Sequence, residues 1–264
     1  MSVVEVTRGD SPVLLAMPHT GTQVPPEIAA QLNATGRALA DTDWHVDRLY
    51  DGLLPGATIV RATFHRYVID ANRDPSGASL YPGQNTTGLV PASDFDGRPI
   101  WRDPPGAEDV EARRAAFHAP YHAALEDEIA RLMARHGVAI LYDCHSIRSH
   151  IPFLFDGELP VLNIGSNSGA SCAGPIKRAA VDAAEASGFS FVLDGRFKGG
   201  WTTRHYGRPT DNVHAIQMEI AQCAYLADEA EPWTYDPAKV EPLRTALRGL
   251  LETIERLALA GDIT

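Results

Sequence analysis

No apolar run in this 264-residue chain approaches the ~20 residues that a membrane-spanning helix needs, which excludes a span. Basic tracts are missing too. Against 34 Asp and Glu stand 23 Lys and Arg, a formal charge of −11. Nucleic acid, whose affinity comes largely from phosphate neutralisation, is therefore excluded as a partner. A small anionic substrate is not, because a few arginines make a positive pocket in an acidic protein. Cysteine is scarce: Cys144, Cys172 and Cys223 form an odd, widely spaced set, with neither a disulfide framework nor a CxxC zinc pair. They read as reduced thiols. The opening MSVVEVTRGDSP lacks the basic and apolar regions of a secretory signal, so a cytoplasmic protein is expected. No GxGxxG or GxxxxGK(S/T) follows an expected strand, which argues against a nucleotide site. Repeats, low-complexity tracts and linkers are absent, and residues 1–264 read as a single domain.

What is present is an alternation of strand and helix patterns. PVLLAMPH (12–19), ATIVRAT (57–63), RYVID (66–70), GVAILYD (137–143), PVLNIG (160–165), FSFVLD (189–194) and VHAIQMEIA (213–221) read as strands. Val46, Leu49, Tyr50 and Leu53 recur at helical spacing in 41–54, with Asp41 or Asp43 as the expected N-cap. The strongest helical period lies in 107–136, with Pro120 expected to break or kink it and Gly137 to end it. Helices are also expected over 175–188 and 237–260. Residues 74–105, rich in Gly, Pro, Asn and Asp, read as a long loop, a feature that is usually functional or disordered. The pattern predicts an α/β fold with a mixed, mostly parallel sheet flanked by helices.

In such sheets ligands gather at the carboxyl ends of the strands. Polar groups collect at those ends here: His19; Asp70, Asn72 and Arg73; Asp143 and His145; Arg204 and His205; and Glu219 within its strand. Two imidazoles with several carboxylates suit a divalent metal, zinc among them. Ile216, Met218 and Ile220 share one strand face, which leaves Gln217 and Glu219 on the other. His118 and His122 stand four apart, a spacing that can present a metal pair on a helix, but Pro120 between them favours a structural role. Cys144 and His145 are adjacent on a strand and point to opposite faces, against a Cys–His nucleophile.

The blocks MPHTGTQVPPE, DTDWHVDRLYD, HRYVIDANRD, YPGQNTTGL, HAPYHAAL, LYDCHSIRS, RFKGGWTTRHYG and VHAIQMEIAQ, in this order from about Pro12 to Glu219 and beyond, resemble the N-formylglutamate amidohydrolase (N-formylglutamate deformylase) family. The resemblance implies hydrolysis of N-formyl-L-glutamate to formate and glutamate, the last step of one histidine degradation route. At greater distance the family is similar to zinc carboxypeptidases and aspartoacylase, which implies that architecture. On that likeness His19 and His145 are metal ligands, Zn²⁺ is the cofactor, Glu219 is the general base, and Asn72 with Arg73 grips a substrate carboxylate. One position departs from the pattern: where the carboxypeptidase His-x-x-Glu pair needs its Glu, this chain has Thr22. Asp43 is the choice for the missing carboxylate, with Glu27, Asp47 and His45 left open.

Arginine binds carboxylates through paired bonds, so Arg73, Arg148 and Arg204, on motif loops, are candidates for holding the dianion, and Arg66 for an oxyanion. Which arginine meets which charge stays open at this level. Arg66 and Arg148 have a competing reading as ion-pair partners of the many acids. Gly199 and Gly200 suit a loop that covers substrate or an ordinary turn, and Trp201 and Tyr206 suit closing over a ligand or packing. Two other functions compete: an amidohydrolase for another N-acyl amino acid, and a carboxylate-binding protein without chemistry.

Overall fold

The computed structural model describes residues 2–80 and 83–263. In chain order they form β1 (Val4–Thr7), β2 (Val13–Met17), α1 (Pro26–Gln31), α2 (Ala34–Arg37), α3 (Val46–Tyr50), β3 (Thr58–Ala62), α4 (Ala107–Arg113), α5 (Ala119–His136), β4 (Ala139–Ile147), β5 (Leu162–Gly165), α6 (Gly174–Ser187), β6 (Phe191–Leu193), α7 (Trp201–Tyr206), β7 (Val213–Ala221) and α8 (Pro237–Ala260). The strands make one mixed, mostly parallel sheet in the order β1-β3-β2-β4-β7-β5-β6. β3, β2, β4 and β7 run parallel at its centre, β1 is antiparallel to β3, and β5 is antiparallel to β7.

β4 and β7 are buried at all nine positions each, because helices cover both faces. On one face Leu15, Tyr142, Cys144 and Met218 pack with α3, α6 and α8. On the other, Leu14, Ala16, Leu141 and Ala215 pack with α5. The strict alternation in β4 and β7 sends Cys144 into the first core and Asp143 and His145 to the opposite face. After β2 the chain goes to β3 on one side, then returns to place β4 on the other. That reversal opens a crevice at the carboxyl ends of β2 and β4, where open α/β sheets bind ligands.

Several expectations are met closely: β7 and α8 have the expected bounds, and Gly137 ends α5 with φ 72°. Others are corrected. Residues 66–70 are not a strand. They form a buried turn in which Arg113 Nη1 donates to Val68 O (3.2 Å), while His122 Nε2 donates to the Ala71 O that follows it (2.8 Å). The 41–54 helix shrinks to five residues, and His45, at φ 59°, precedes it where an Asp cap was expected. Asp41 and Asp43 are drawn to other donors: Tyr67 Oη and Phe95 N for Asp41, Arg66 for Asp43. In 107–136 the helix widens into a π-turn over Arg114–His118, where Ala119 N donates to Arg114 O. The wider turn lets Pro120 start α5 without clashing with the preceding carbonyls. In the described part of the 74–105 segment, Leu89, Phe95, Ile100 and Trp101 are buried, so much of this loop packs as structure.

Candidate active site

His19 follows β2, Asp43 precedes α3, and His145 lies near the end of β4. All three are buried. His19 Nδ1 and His145 Nδ1 are 3.2 Å apart, and Asp43 Oδ2 lies 3.1 Å from the second and 3.7 Å from the first. The sheet brings these groups together: Ala16 of β2 pairs with Asp143 of β4, so the two strands end side by side. The other candidates left open by sequence go elsewhere. Glu27 is exposed on α1, Asp47 pairs with Arg61 (3.1 Å), and His45 Nε2 donates to Trp233 O (2.8 Å).

The chemistry of the donor set fits a cation. Asp70 Oδ1 accepts from His19 Nε2 (2.7 Å), which leaves a lone pair on His19 Nδ1. His145 Nε2 has two neighbours, Asp143 Oδ1 at 3.0 Å and Asn72 Nδ2 at 2.9 Å. Each suits one tautomer, and a cation at Nδ1 selects donation to Asp143. Two imidazole lone pairs and a carboxylate oxygen then face one another at contact distance. They repel unless a proton or a metal ion sits among them. Electrostatics agree: burial pushes the His145 imidazole down, but Asp143 and Asp43 outweigh it and hold it well above its ordinary range. Burial raises Asp43 as well, yet Arg66 with the bonds from His145 and His19 holds it below the usual carboxylate range. The proton that His145 retains is the charge a metal would displace. This buried His–Asp–His group can bind a metal ion.

Beside it lies Glu219, 7% exposed, whose Cα pairs with His145 across the β4–β7 ladder. Burial pushes its carboxyl up to about 8, the Asp43 charge adding to this while His145 and Arg66 oppose it. Gln217, two residues earlier on the same face, accepts from Gly200 N at Oε1 (2.7 Å) and donates from Nε2 to Glu219 Oε2 (3.2 Å). The first bond fixes the amide orientation, and the second follows from it. Arg66 donates to Asp43 Oδ1 at 2.7 Å. Asn72 accepts from Thr202 N at 2.8 Å and packs under Gly200, where a Cβ would stand 2.3 Å from Asn72 Nδ2. Only glycine lets the two segments approach this closely.

A cavity opens over these groups, lined by His19, Arg66, Asn72, Arg73, His145 and Glu219 on the cluster side. Arg73 also lines it, with Nε and Nη2 on Thr87 (both 2.9 Å). The fold takes two expected substrate arginines elsewhere. Arg148 pairs with Asp96 (2.9 Å) and Arg204 Nε donates to Gly199 O (2.9 Å); among the described residues neither lines the cavity. His118 and His122 brace the Ala71–Arg73 carbonyls, and Tyr206 Oη meets His122 Nδ1 at 3.0 Å, a packed arrangement. Sequence reasoning missed Asn85, Thr86 and Thr87, Phe197 and Arg196, all of which line the cavity. The signal for them was the QNTTG and RFKGG blocks, which carry the family resemblance without marking these residues as candidates.

Comparison with known proteins gives consistent matches. Residues 11–226 match a family described as N-formylglutamate amidohydrolase. An N-formylglutamate deformylase of Pseudomonas aeruginosa is 48% identical over 96% of this chain and 96% of its own length. One from Pseudomonas putida is 43% identical over 96% and 95%. A crystal structure of an N-formylglutamate amidohydrolase from Ralstonia eutropha superposes with TM-score 0.83 at 24% identity, covering 99% of this chain and 100% of that one. A protein from Agrobacterium tumefaciens shares the fold at TM-score 0.71 and 19% identity, over 99% and 96%.

Proposed function

The chain belongs to the N-formylglutamate amidohydrolase family, and on that premise we propose that it hydrolyses N-formyl-L-glutamate to formate and L-glutamate with the help of a divalent metal. The observation that carries this reading is the convergence of His19 Nδ1, His145 Nδ1 and Asp43 Oδ2 beneath a cavity that Glu219 also lines. His19, Asp43 and His145 would hold the ion. Imidazole with a carboxylate favours zinc, although other divalent transition metals overlap. When bound, such an ion supplies Lewis-acid chemistry, acidifying water and polarising the formyl carbonyl.

The remaining work falls to this chain's own groups. Glu219 takes the proton from the attacking water at its carboxylate and returns it to the departing glutamate nitrogen. Gln217, donating to Oε2, holds that carboxylate in one orientation. The Arg66 guanidinium, buried beside the cluster, stabilises the charge that develops on the formyl oxygen. Asn72 and Arg73 bind the substrate carboxylate nearest the scissile bond. The groups beneath the cavity are buried, and away from bulk water each of these interactions is stronger.

A role as the last step of histidine degradation follows from this activity. Free thiols at all three cysteines fit a reducing, cytoplasmic setting. One sheet that draws strands from Val4 to Ala221 supports reading residues 1–264 as one domain. No helix among the described residues is long and apolar enough to cross a membrane.

The test is formate release from N-formyl-L-glutamate before chelation, after it, and after Zn²⁺ is restored, beside Glu219→Gln. Chelation should abolish release and zinc should restore it. The variant should lose about 10²–10⁴ in kcat while still binding zinc. Release indifferent to chelation and to the substitution would refute both the metal and the base.

A further inference from the structure

We propose that Tyr225, Gln222 and Ser146 are positioning residues that hold Asp43 where it can ligate the ion; this rests on the metal-dependent activity proposed above. His19 and His145 take their places from the sheet, one just beyond β2 and the other within β4. Asp43 has no such support. It lies in the irregular segment between α2 and α3, outside the ladder of any strand. A carboxylate on a buried turn stays aligned with two imidazoles only if that turn is held from outside.

The carbonyls on either side of Asp43 each meet one side chain from the segment that follows β7. Gln222 Nε2 donates to Thr42 O (3.0 Å), and Tyr225 Oη donates to Trp44 O (2.8 Å). Tyr225 Oη also lies 2.7 Å from Ser146 Oγ. A phenol has one proton and a carbonyl can only accept, so Ser146 donates to the tyrosine oxygen. Ser146 Oγ in turn accepts from Gln222 Nε2 (3.3 Å). Both protons of the Gln222 amide are thereby placed. An inverted amide would set its oxygen against the Thr42 carbonyl, so its orientation is fixed. Tyr225, Gln222 and Ser146 are all buried, which keeps water from competing for these bonds.

Ser146 closes the frame. It follows His145 in β4, and its backbone N–H donates to Asp43 Oδ2 (3.1 Å), the oxygen that faces both imidazoles. The backbone N–H of Asp43 donates to His19 O (3.0 Å). Each ligand segment is thus tied to the next: Asp43 to His19 through its backbone and to Ser146 through its side chain. Gln222 and Tyr225 hold the turn itself down on Ser146. Arg66 binds the other carboxylate oxygen, Oδ1, and leaves the turn backbone to this network. Loss of one of these donors would leave a buried carbonyl beside Asp43 short of a partner and free the turn to shift. A shifted Asp43 loosens the ion, whereas the sheet that positions both imidazoles stays intact.

The test is zinc affinity, read by competition with a chromophoric chelator, in wild type, Tyr225→Phe, Gln222→Met and Tyr50→Phe, beside the melting temperature of each metal-free protein. Tyr50→Phe is the control. Its hydroxyl is buried in the same core as Tyr225 but meets Tyr142 Oη (3.4 Å), away from the turn. Tyr225→Phe and Gln222→Met should each weaken zinc binding about 10–100-fold, and excess zinc should recover the formate release they lose when zinc is limiting. Tyr50→Phe should keep wild-type affinity whatever it does to melting. Should Tyr225→Phe fail to fold, Gln222→Met carries the same test. Wild-type affinity in the folded variants would overturn the assignment. So would an equal loss in Tyr50→Phe, which would mean that any loosening of this core lowers affinity. A wild type that binds no zinc overturns the proposed metal centre itself, and this assignment with it.

Discussion

Gly200→Ala isolates what one methyl group can do to this site. Gly200 has φ −76° and ψ −168°, which alanine adopts without strain. The cost therefore comes from the new Cβ alone. It would stand 2.3, 2.5 and 2.6 Å from Asn72 Nδ2, Oδ1 and Cγ, against an ordinary contact of about 3.5 Å. The Asn72 side chain must yield by about 1 Å, and in doing so it gives up the bond from Thr202 N and its place beside His145 Nε2. A hydrogen bond of this kind contributes about 1 kcal/mol, and mild overpacking costs about 1–3 kcal/mol, so stability should fall by about 2–4 kcal/mol. For a chain of this size that lowers Tm by roughly 4–16 °C. Activity should suffer far more, because a misplacement of about 1 Å near the reacting groups can cost about 10²-fold in rate. The assay pairs thermal melting with formate release. Gly249→Ala is the control: Gly249 lies inside α8 with no atom within 4 Å of an added Cβ. There the helix should gain about 0.5–1 kcal/mol with full activity. Wild-type kcat/KM in Gly200→Ala would refute the view that Asn72 must stay where it is.

Acid stability should depend on His122. Burial pushes this imidazole from 6.5 down to about 3, so the unfolded chain takes up a proton at pH values where the folded one does not. Its contribution is intact above pH 6.5 and is lost progressively as pH falls toward 3, about 2 kcal/mol being gone by pH 5. Urea titrations of metal-stripped His122→Gln at pH 7.5 and 5 should show a loss smaller by about that amount; identical losses would contradict the assignment. Asp70→Asn removes the carboxylate that orients His19 and should weaken metal affinity about 10–100-fold in a chelator competition, whereas unchanged affinity would argue against His19 as a ligand. Cys144→Ala should lower stability by about 1–2 kcal/mol and leave kcat unchanged, since the thiol is fully buried in the core and burial keeps it protonated; a collapse of kcat in a folded variant would revive a thiol mechanism.

Local periodicity in the sequence determined the strands and helices whose signals are strongest: nine apolar-patterned residues in β7, the helical repeat and Gly stop of α5, and the whole of α8. Alternation along β4 likewise assigned Cys144 to one face and His145 to the other. The turn at 66–70 was illegible because its apolar pattern suits a strand equally well. Its conformation depends on distant partners: Leu89 O accepts from Asp70 N, Arg113 on α4 caps Val68 O, and His122 on α5 caps the adjoining Ala71 O. For the carboxylate of the metal cluster the sequence favoured Asp43 but left alternatives open, for a related reason. Local sequence offers Asp43, Asp47, His45 and Glu27 as candidates, and only the crossover that sets β2 against β4 brings Asp43 to both imidazoles. Arginine is the extreme case. Its long side chain takes its direction from whichever acceptors the fold brings near, so Arg148 went to Asp96 and Arg204 to a backbone carbonyl, while Arg196 came to the cavity wall. Hydrophobic period is written residue by residue along the chain. The meeting of charges from distant segments is decided only when the sheet closes its order.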